Sequence, residues 1–536
     1  MDWFHKKEKK AKQKIRESFG KPKTADFNFD FIRRFADRNK KESFQNLSEK
    51  TCNDLNFNDL FSYVDRTSSF VGQQYLYERM RRISDNRKPL DILERWAARF
   101  EKDEPLRTDI QYHLQNLSGR DAYYLCDLFQ ETTIKPPKWL PLAYVLSLTN
   151  VLTIVLIFFR PEIFIFSLAV TIVNAVLHYL NKTNIYSFLY STPQLLFLDK
   201  TVRKILAHDF LRNSESISEN AVRVLHRVVK KMNFFRLEEI TKGDPFGVLW
   251  FSLEIISIFF LLEPIFLFRV LRRIENHEKE LQEAFEFVGL VDEAVSLTSL
   301  RAGLPYYCQP EIISDIKSMH FSNVYLPFIK NCIPNSLDVK GKSILITGSN
   351  MSGKTTFIRA VGINTLMGLT LNTCFARTFA SPKLYLYSAI LMNDDLMNDK
   401  SFYLEEVQAI KEMIEVSHQS GPNLFLLDEI YKGTNTIERV SGGKAVLSWL
   451  NKGDNLVFIS THDIELTELL QEEYKLCHFS EHVENQNISF DYKIKEGKMK
   501  TRNAIKILEV NGYPPELVAE ARQISYEMDK HRQTFV

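Results

Sequence analysis

The segment Gly348-Ser349-Asn350-Met351-Ser352-Gly353-Lys354-Thr355 constrains the fold more than any other part of this chain. It follows a short apolar run, Ser343-Ile344-Leu345-Ile346, and precedes a helix-like run from Thr356 to Leu371. The segment fits the pattern GxxxxGK[ST]. Its glycines let the backbone curl so that N–H groups converge on anionic oxygens, and the following helix N-terminus adds partial positive charge. The reading is a strand–loop–helix unit that cradles the phosphates of ATP. Gly348, Ser349, Asn350, Met351, Ser352, Gly353, Lys354, Thr355 and Thr356 contact the nucleotide in this reading. Lys354 reaches the β- and γ-phosphates, and the Thr355 hydroxyl ligates Mg²⁺.

Two further apolar runs carry chemistry at their ends. Leu424-Phe425-Leu426-Leu427 reads as a buried parallel strand and delivers Asp428 and Glu429. An acidic residue there can hold Mg²⁺, so Asp428 joins Thr355 as a metal residue. The next carboxylate, Glu429, can orient or deprotonate an attacking water. Val457-Phe458-Ile459-Ser460 delivers Thr461 and His462, and His462 can sense the γ-phosphate. Short apolar strands alternating with helices predict an α/β sheet.

Upstream, the pattern is helical. Leu55, Phe57, Leu60, Phe61, Val64, Leu76 and Met80 recur at helical spacing. Pro136 and Pro137 end that pattern. Trp139 to Phe159 then contains no charged residue, Arg160-Pro161-Glu162 interrupt, and Ile163 to Leu180 again lacks Asp, Glu, Lys and Arg. A hydrocarbon core of ~30 Å needs about 20 apolar helical residues, which both runs approach. Together they predict a transmembrane helical hairpin over 139–180, with a buried core hairpin as the competing structure. Lys135, Lys138 and Lys182 flank it and place both ends in the cytoplasm. A third apolar stretch, 246–268, contains Glu254 and Glu263-Pro264. One further crossing would put the phosphate-binding segment outside the cell, so this stretch reads as a buried or membrane-associated helix.

Composition adds limits. A formal net charge of +2 over 536 residues gives no global basic field for nucleic acid. Local patches must supply any such attraction. Lys6, Lys7, Lys9, Lys10, Lys12, Lys14 and Arg16 form one, read equally as a solvated, frayed helix or as a phosphate or lipid-headgroup contact. Six scattered cysteines without metal-site spacing fit a reduced compartment.

These strings also resemble a known family. Thr347-Gly-Ser-Asn-Met-Ser-Gly-Lys-Thr-Thr356 is similar to the phosphate-binding string of MutS proteins. Leu427 to Thr436 (LDEIYKGTNT) and Ser460-Thr-His-Asp463 are similar to the strings that follow it there. Asp394-Asp395-Leu396 through Ser401 resembles another family segment, and Leu60 to Met80 resembles the start of its core domain. Ala504 to Ile524 resembles the terminal helical unit that packs dimers.

The resemblance implies an α + α/β fold: a helical core, an ABC-type ATPase domain and a C-terminal helical dimerisation unit. It implies a homodimer in which Ser401 acts in trans on the partner's nucleotide, and ATP hydrolysis that gates a clamp on DNA. The expected segments are 1–53 (basic helical), 54–320 (helical core), 321–490 (ATPase) and 491–536 (dimerisation).

Departures are visible. Ser349 and Ser352 replace the family's Pro and Gly, and Glu438 stands where Asp is usual. A mismatch-reading wedge and its domain are not found ahead of the core. The apolar hairpin falls where the family inserts its DNA clamp. The expectation is a membrane-associated MutS-like branch that acts on DNA in repair or recombination. The alternative is a membrane-anchored mechanochemical ATPase acting on a protein or lipid.

Overall fold

The computed structural model describes residues 2–39, 41–130, 138–184, 186–214, 216–242, 247–349, 351–390, 402–418, 421–484, 487–499 and 504–532. Two compact units emerge, each assembled from separated stretches of chain. The first comprises Met1–Glu42, Val64–Arg79 and Asp91–Gly303, and the second Ser43–Tyr63, Met80–Leu90 and Leu304–Val536. Both departures from contiguous segments have one cause: residues 43–63 and 80–90 pack with the α/β part rather than with their sequence neighbours.

The first unit is helical. The helices used below are α1 (Leu140–Ile157), α2 (Ile163–Asn184), α3 (Asn233–Lys242), α4 (Val248–Phe260), α5 (Leu262–Ile274) and α6 (Glu278–Gly303). Helix α6 is the spine: every residue from Phe287 to Leu300 is buried. Close approach to it has a local requirement. Asp292 accepts hydrogen bonds from the Ser68 and Ser69 amides, both 2.8 Å, and a Cβ at Gly72 would lie 2.2 Å from its carboxylate.

The apolar runs fold as two antiparallel-connected helices, α1 and α2, long and apolar enough to cross a membrane. Their outer faces are bare: Val145 is 58% exposed, Leu148 61%, Ile165 76% and Ile172 58%, and the turn residues Phe158 and Phe159 are 85% and 76% exposed. The stretch read as one helix over 246–268 is instead two, α4 and α5, bent by 80°. The break falls at Leu261, which adopts a left-handed conformation with φ 47°. Glu263-Pro264 explain the restart. Proline lacks an N–H, yet the first helical turn needs none, so Pro264 fits the third position of α5 but not the interior of a continuous helix.

The N-terminal basic stretch is a helix, Asp2–Ser18. Lys12 pairs with Glu8 and Asp109, and Arg16 with Glu104, while Lys6, Lys7, Lys9, Lys10 and Lys14 are exposed.

The second unit holds a six-stranded sheet with β1 (Ser343–Thr347), β2 (Tyr385–Ala389), β3 (Asn423–Asp428), β4 (Leu456–Thr461), β5 (Tyr474–His478) and β6 (Lys495–Glu496). The order is β6-β5-β1-β4-β3-β2, parallel except for β6. Strands covered on both faces need continuous apolar sequence rather than alternation. Accordingly Ile344–Ile346, Leu424–Leu426 and Val457–Ile459 are each 0% exposed. Helix α7 (Lys354–Leu371) packs on this sheet through Gly362, where a Cβ would sit 2.4 Å from Leu426. A four-stranded sheet (Glu311–Ile312, Ser318–Val324, Asn335–Lys340, Thr378–Ser381) flanks it. Helices Ala504–Val510 and Pro515–Arg532 close the described chain.

Candidate functional site

In open parallel sheets, ligands sit beyond the carboxyl ends of the strands, where loops are free to supply side chains. Here β1, β3 and β4 are adjacent, and each ends in one of the segments singled out by sequence. Beyond β1 the described loop residues, 348–349 and 351–353, lead to α7. Gly353 is the N-cap of α7 with φ 103°, and a Cβ there would lie 3.2 Å from the Tyr492 ring. At Gly348 a Cβ would meet the Phe479 carbonyl oxygen at 2.9 Å. Both positions therefore exclude a side chain, and the loop keeps a backbone-lined hollow.

Lys354 sits over that hollow. Its Nζ donates to the Gly348 and Ser349 carbonyls at 2.8 and 2.9 Å. Burial pushes its ammonium below the usual lysine range, against the pull of Glu429 and Asp428. An ammonium desolvated in this way, held by two carbonyls with His462 beside it, is suited to receive phosphate oxygens. The Thr355 hydroxyl donates to Asp428 Oδ2 at 2.6 Å, and Ser460 Oγ donates to Asp428 Oδ1. A hydroxyl from the first turn of α7 and a carboxylate from the end of β3 thus converge, two hard oxygen donors of the kind Mg²⁺ takes.

Glu429 follows Asp428 but leaves the strand. It adopts φ 54°, its amide donates to the Ser460 carbonyl at 2.9 Å, and its side chain turns towards His462. His462 Nε2 lies 2.9 Å from Glu429 Oε1, and Lys432 Nζ lies 3.0 Å from Oε2. Facing a carboxylate, Nε2 carries the proton and donates it; Lys354 Nζ approaches the same nitrogen at 3.2 Å. Burial alone would push the Glu429 carboxyl up, but the bonds from His462 and Lys432 prevail and hold it down at about 2. Such a carboxylate is a strong hydrogen-bond acceptor and a weak base. In this arrangement it can orient a water, and accepting the water's proton requires His462 or Lys432 to move away.

A cavity of about 500 Å³ opens beside these groups, lined by Met351 to Thr356 and by Glu429. Its far wall is Ile329, Ile333 and Tyr492, an apolar surface fit for a flat ring.

Of the residues expected from sequence, Gly348, Ser349, Met351, Ser352, Gly353, Lys354, Thr355, Thr356, Asp428, Glu429 and His462 come together here. Asn350 and Ser401, with the 394–401 string, lie outside the described residues.

Several contributors carried no sequence signal of their own. Lys432 and Ser460 sat inside the quoted strings but gain a role only through contact. Glu481 accepts from Ser349 Oγ at 2.7 Å, so the serine in place of the family's proline is tied down from another strand. Arg439 holds Asp463 through two bonds, 2.9 and 2.7 Å, fixing the turn after His462.

Comparison with known proteins adds to this geometry. Residues 344–529 match the family model described as MutS domain V. The chain is 29% identical over 208 residues to the DNA mismatch repair protein MutS of Aquifex pyrophilus, covering 38% of this chain and 24% of that protein. Against the protein of that name from Thermus aquaticus it is 26% identical over 274 residues, 51% of this chain and 33% of the relative. For Thermotoga maritima the figures are 29% over 264 residues, 48% and 33%. The match thus spans a third or less of the length of these relatives.

Proposed function

From the premise that this chain belongs to the MutS family, we propose that its α/β unit binds ATP with Mg²⁺ and hydrolyses it. A second copy of the chain completes each site, and turnover gates a hold on DNA. The observation that carries this reading is the convergence of three strand ends: Thr355 bonded to Asp428, with Glu429 bonded to His462 beside the backbone-lined loop. The loop amides and Lys354 hold the triphosphate, while Ile329, Ile333 and Tyr492 receive the base. Thr355 and Asp428 hold Mg²⁺, which when bound neutralises charge on the phosphates. Glu429 orients the attacking water, and His462 and Lys432 set how basic it is. Ser401 acts on the partner's nucleotide.

Relatives named as mismatch repair proteins motivate the DNA partner. The test is ATP turnover by the full chain in nanodiscs, with intact duplex, mismatched duplex and branched junctions offered in turn. Stimulation by one of them is expected. Turnover indifferent to all three removes DNA from the reading and leaves the ATPase. Mixed dimers of Ser401→Ala and Lys354→Ala subunits should keep one working site; complete inactivity would remove the trans role.

A second reading has its own observation. Helices α1 and α2 and the turn between them present Ile165, Phe158 and Phe159 outward at 76–85% exposure. Such a surface is matched by lipid, and it supports a protein anchored in the cytoplasmic membrane with its ATPase in the cytoplasm. In that setting the partner is a membrane protein or the lipid itself. Fractionation separates the two: recovery in the soluble fraction without detergent excludes the anchor.

A further inference from the structure

The elbow at Leu261, where α4 and α5 meet at 80°, leaves the last carbonyls of α4 without helical partners. The hairpin serves one of them. The Phe259 carbonyl accepts from Asn150 Nδ2 on α1 and from Asn174 Nδ2 on α2, both at 2.7 Å. Asn150 stands ten residues past Leu140, the start of α1, and Asn174 eleven residues past Ile163, the start of α2. Along the two helix axes those steps rise about 15 Å and about 16 Å. The end of α4 is therefore seated near the middle of the hairpin's length.

The chain reaches that point along α2. Glu254 Oε1 of α4 lies 3.8 Å from Nε2 of His178, which stands four residues beyond Asn174. Advancing from Glu254 to Phe259 thus means going back along α2, from the hairpin's open end towards its turn. Past the elbow the chain retreats. Glu263 Oε2 comes to the same imidazole nitrogen at 3.4 Å. Leu261 and Ile265 form one apolar cluster with Ala143, Leu146 and Leu177. Each of these three is nearer the open end than the asparagine of its own helix. Helix α3 meets both arms: Phe234 lines a small cavity with Trp250 of α4, and its ring stacks on Phe266 of α5 at 5.1 Å between centroids. Helices α4 and α5 thus go in and come back, with the elbow as the innermost point.

The two arms differ in surface. On α5, Glu263, Pro264, Ile265, Leu267, Phe268 and Val270 are buried. On α4, Val248 is 62% exposed, Phe251 60% and Ile256 45%. This is the same bare apolar surface that α1 and α2 present, on a helix bonded to both of them. The 13 residues of α4 rise only about 20 Å, short of a ~30 Å hydrocarbon core. Non-helical backbone persists at membrane depth only where protein covers it. The elbow meets that condition, because Leu261, Asn150 and Asn174 are each 0% exposed.

Resting on the membrane reading of the hairpin, we propose that α4 and α5 form a re-entrant segment. Helix α4 dips from the hairpin's open end to the middle of the bilayer, with its outer face against the acyl chains of a single leaflet. Helix α5 brings the chain back to the face it came from. The partner of the α4 surface is lipid. No third crossing is made, so the residues after α5 stay on the same side of the bilayer as those before α1.

Two measurements on the full chain test this. The six native cysteines are buried or half-buried, and label taken up by the unsubstituted protein is subtracted. In sealed membrane vesicles, a membrane-impermeant maleimide is offered to Glu162→Cys at the hairpin turn and to Arg272→Cys near the end of α5, both exposed positions. We expect the two to label from opposite faces. Labelling from the same face overturns the proposal, because α4 and α5 then make a crossing. In phosphatidylcholine nanodiscs, nitroxides on Val248→Cys and Ile256→Cys are then compared for collision with oxygen, which enters lipid, and with a nickel chelate, which stays in water. Oxygen should dominate at Ile256, and the label there should lie about 10 Å deeper than at Val248. Nickel dominating at Ile256, or neither reagent reaching it, overturns the lipid-facing surface and leaves the hairpin anchor standing. A chain that washes off the vesicles in alkaline high salt removes the anchor itself, and the re-entrant segment with it.

Discussion

The six-stranded sheet and the apolar hairpin place the same kinds of residue in opposite ways. In the sheet, Phe425 and Phe458 are 0% exposed, and Asp428, Glu429 and His462 stand at strand ends. In the hairpin, Phe158 is 85% exposed, whereas Asn150, Asn174 and His178 are at most 2% exposed. The sheet hides carbon and shows charge, as water demands. The hairpin shows carbon and hides polarity, which is stable only where the surroundings are themselves apolar. On the proposed membrane reading, equal hydrophobicity in sequence conceals two different solvents. The first way to break the contrast is to ask where the full chain partitions. It should stay in the membrane pellet after high-salt and alkaline washing, an all-or-none result, and a washed-off chain would show that the exposed face has some other cover.

The next largest effects belong to the sheet end. Lys354→Ala should abolish nucleotide binding measured by titration with a fluorescent ATP analogue, and lower turnover by about 100-fold or more. Glu429→Gln should keep binding and slow hydrolysis by about 100-fold or more. A normal rate in Glu429→Gln would remove the water-orienting role. Matching substitutions sharpen the contrast in stability. Phe458→Ala empties a buried strand position and should cost about 3–5 kcal/mol in denaturant unfolding. Phe158→Ala in detergent should stay within about 0.5 kcal/mol. Equal costs would mean that the hairpin surface is packed against protein in solution.

How far each region could be read from sequence follows from the same contrast. The strands around residues 343–347, 423–428 and 456–461 were legible because burial on both faces and the reactive residues at their ends are local signals. The lengths of α1 and α2 were legible for the same reason. The elbow was not. Pro264 drew the eye, yet the chain turns at Leu261, and nothing in its side chain prefers a left-handed backbone. Glu254 and Glu263 read as interruptions of an apolar run, and only folding sets them around His178. Tyr492 and Ile329 likewise reach the cavity beside Thr355 through tertiary structure, 137 and 26 residues from it by numbering. The residues of the candidate site thus lie in contiguous strings, whereas the hairpin's polar interior is distributed over helices.

A smaller effect tests that interior directly. Asn150→Ala and Asn174→Ala each remove one of the two donors to the Phe259 carbonyl. Inter-helix hydrogen bonds in apolar surroundings contribute about 0.6–2 kcal/mol. Each single change should therefore cost about 1 kcal/mol or less, because the other amide remains. The double variant should cost more than the sum of the two, and strict additivity would show that the amides do not share the carbonyl's demand.

The smallest effect is a pH dependence at the sheet end. Glu429 is held at about 2, below its ordinary value of 4.5, by His462 and Lys432. A carboxyl depressed in the folded state contributes stability that is complete above its ordinary value and is lost as pH falls towards the folded value. Its exposure to solvent screens the pair, so the contribution is well below that of a buried core residue. Nucleotide-free protein should thus be more stable than Glu429→Gln at neutral pH. That advantage should shrink from about pH 5 downwards and disappear near pH 2. An advantage that persists unchanged into acid would mean that His462 and Lys432 do not hold this carboxylate in solution, and that Glu429 is already free to act as a base.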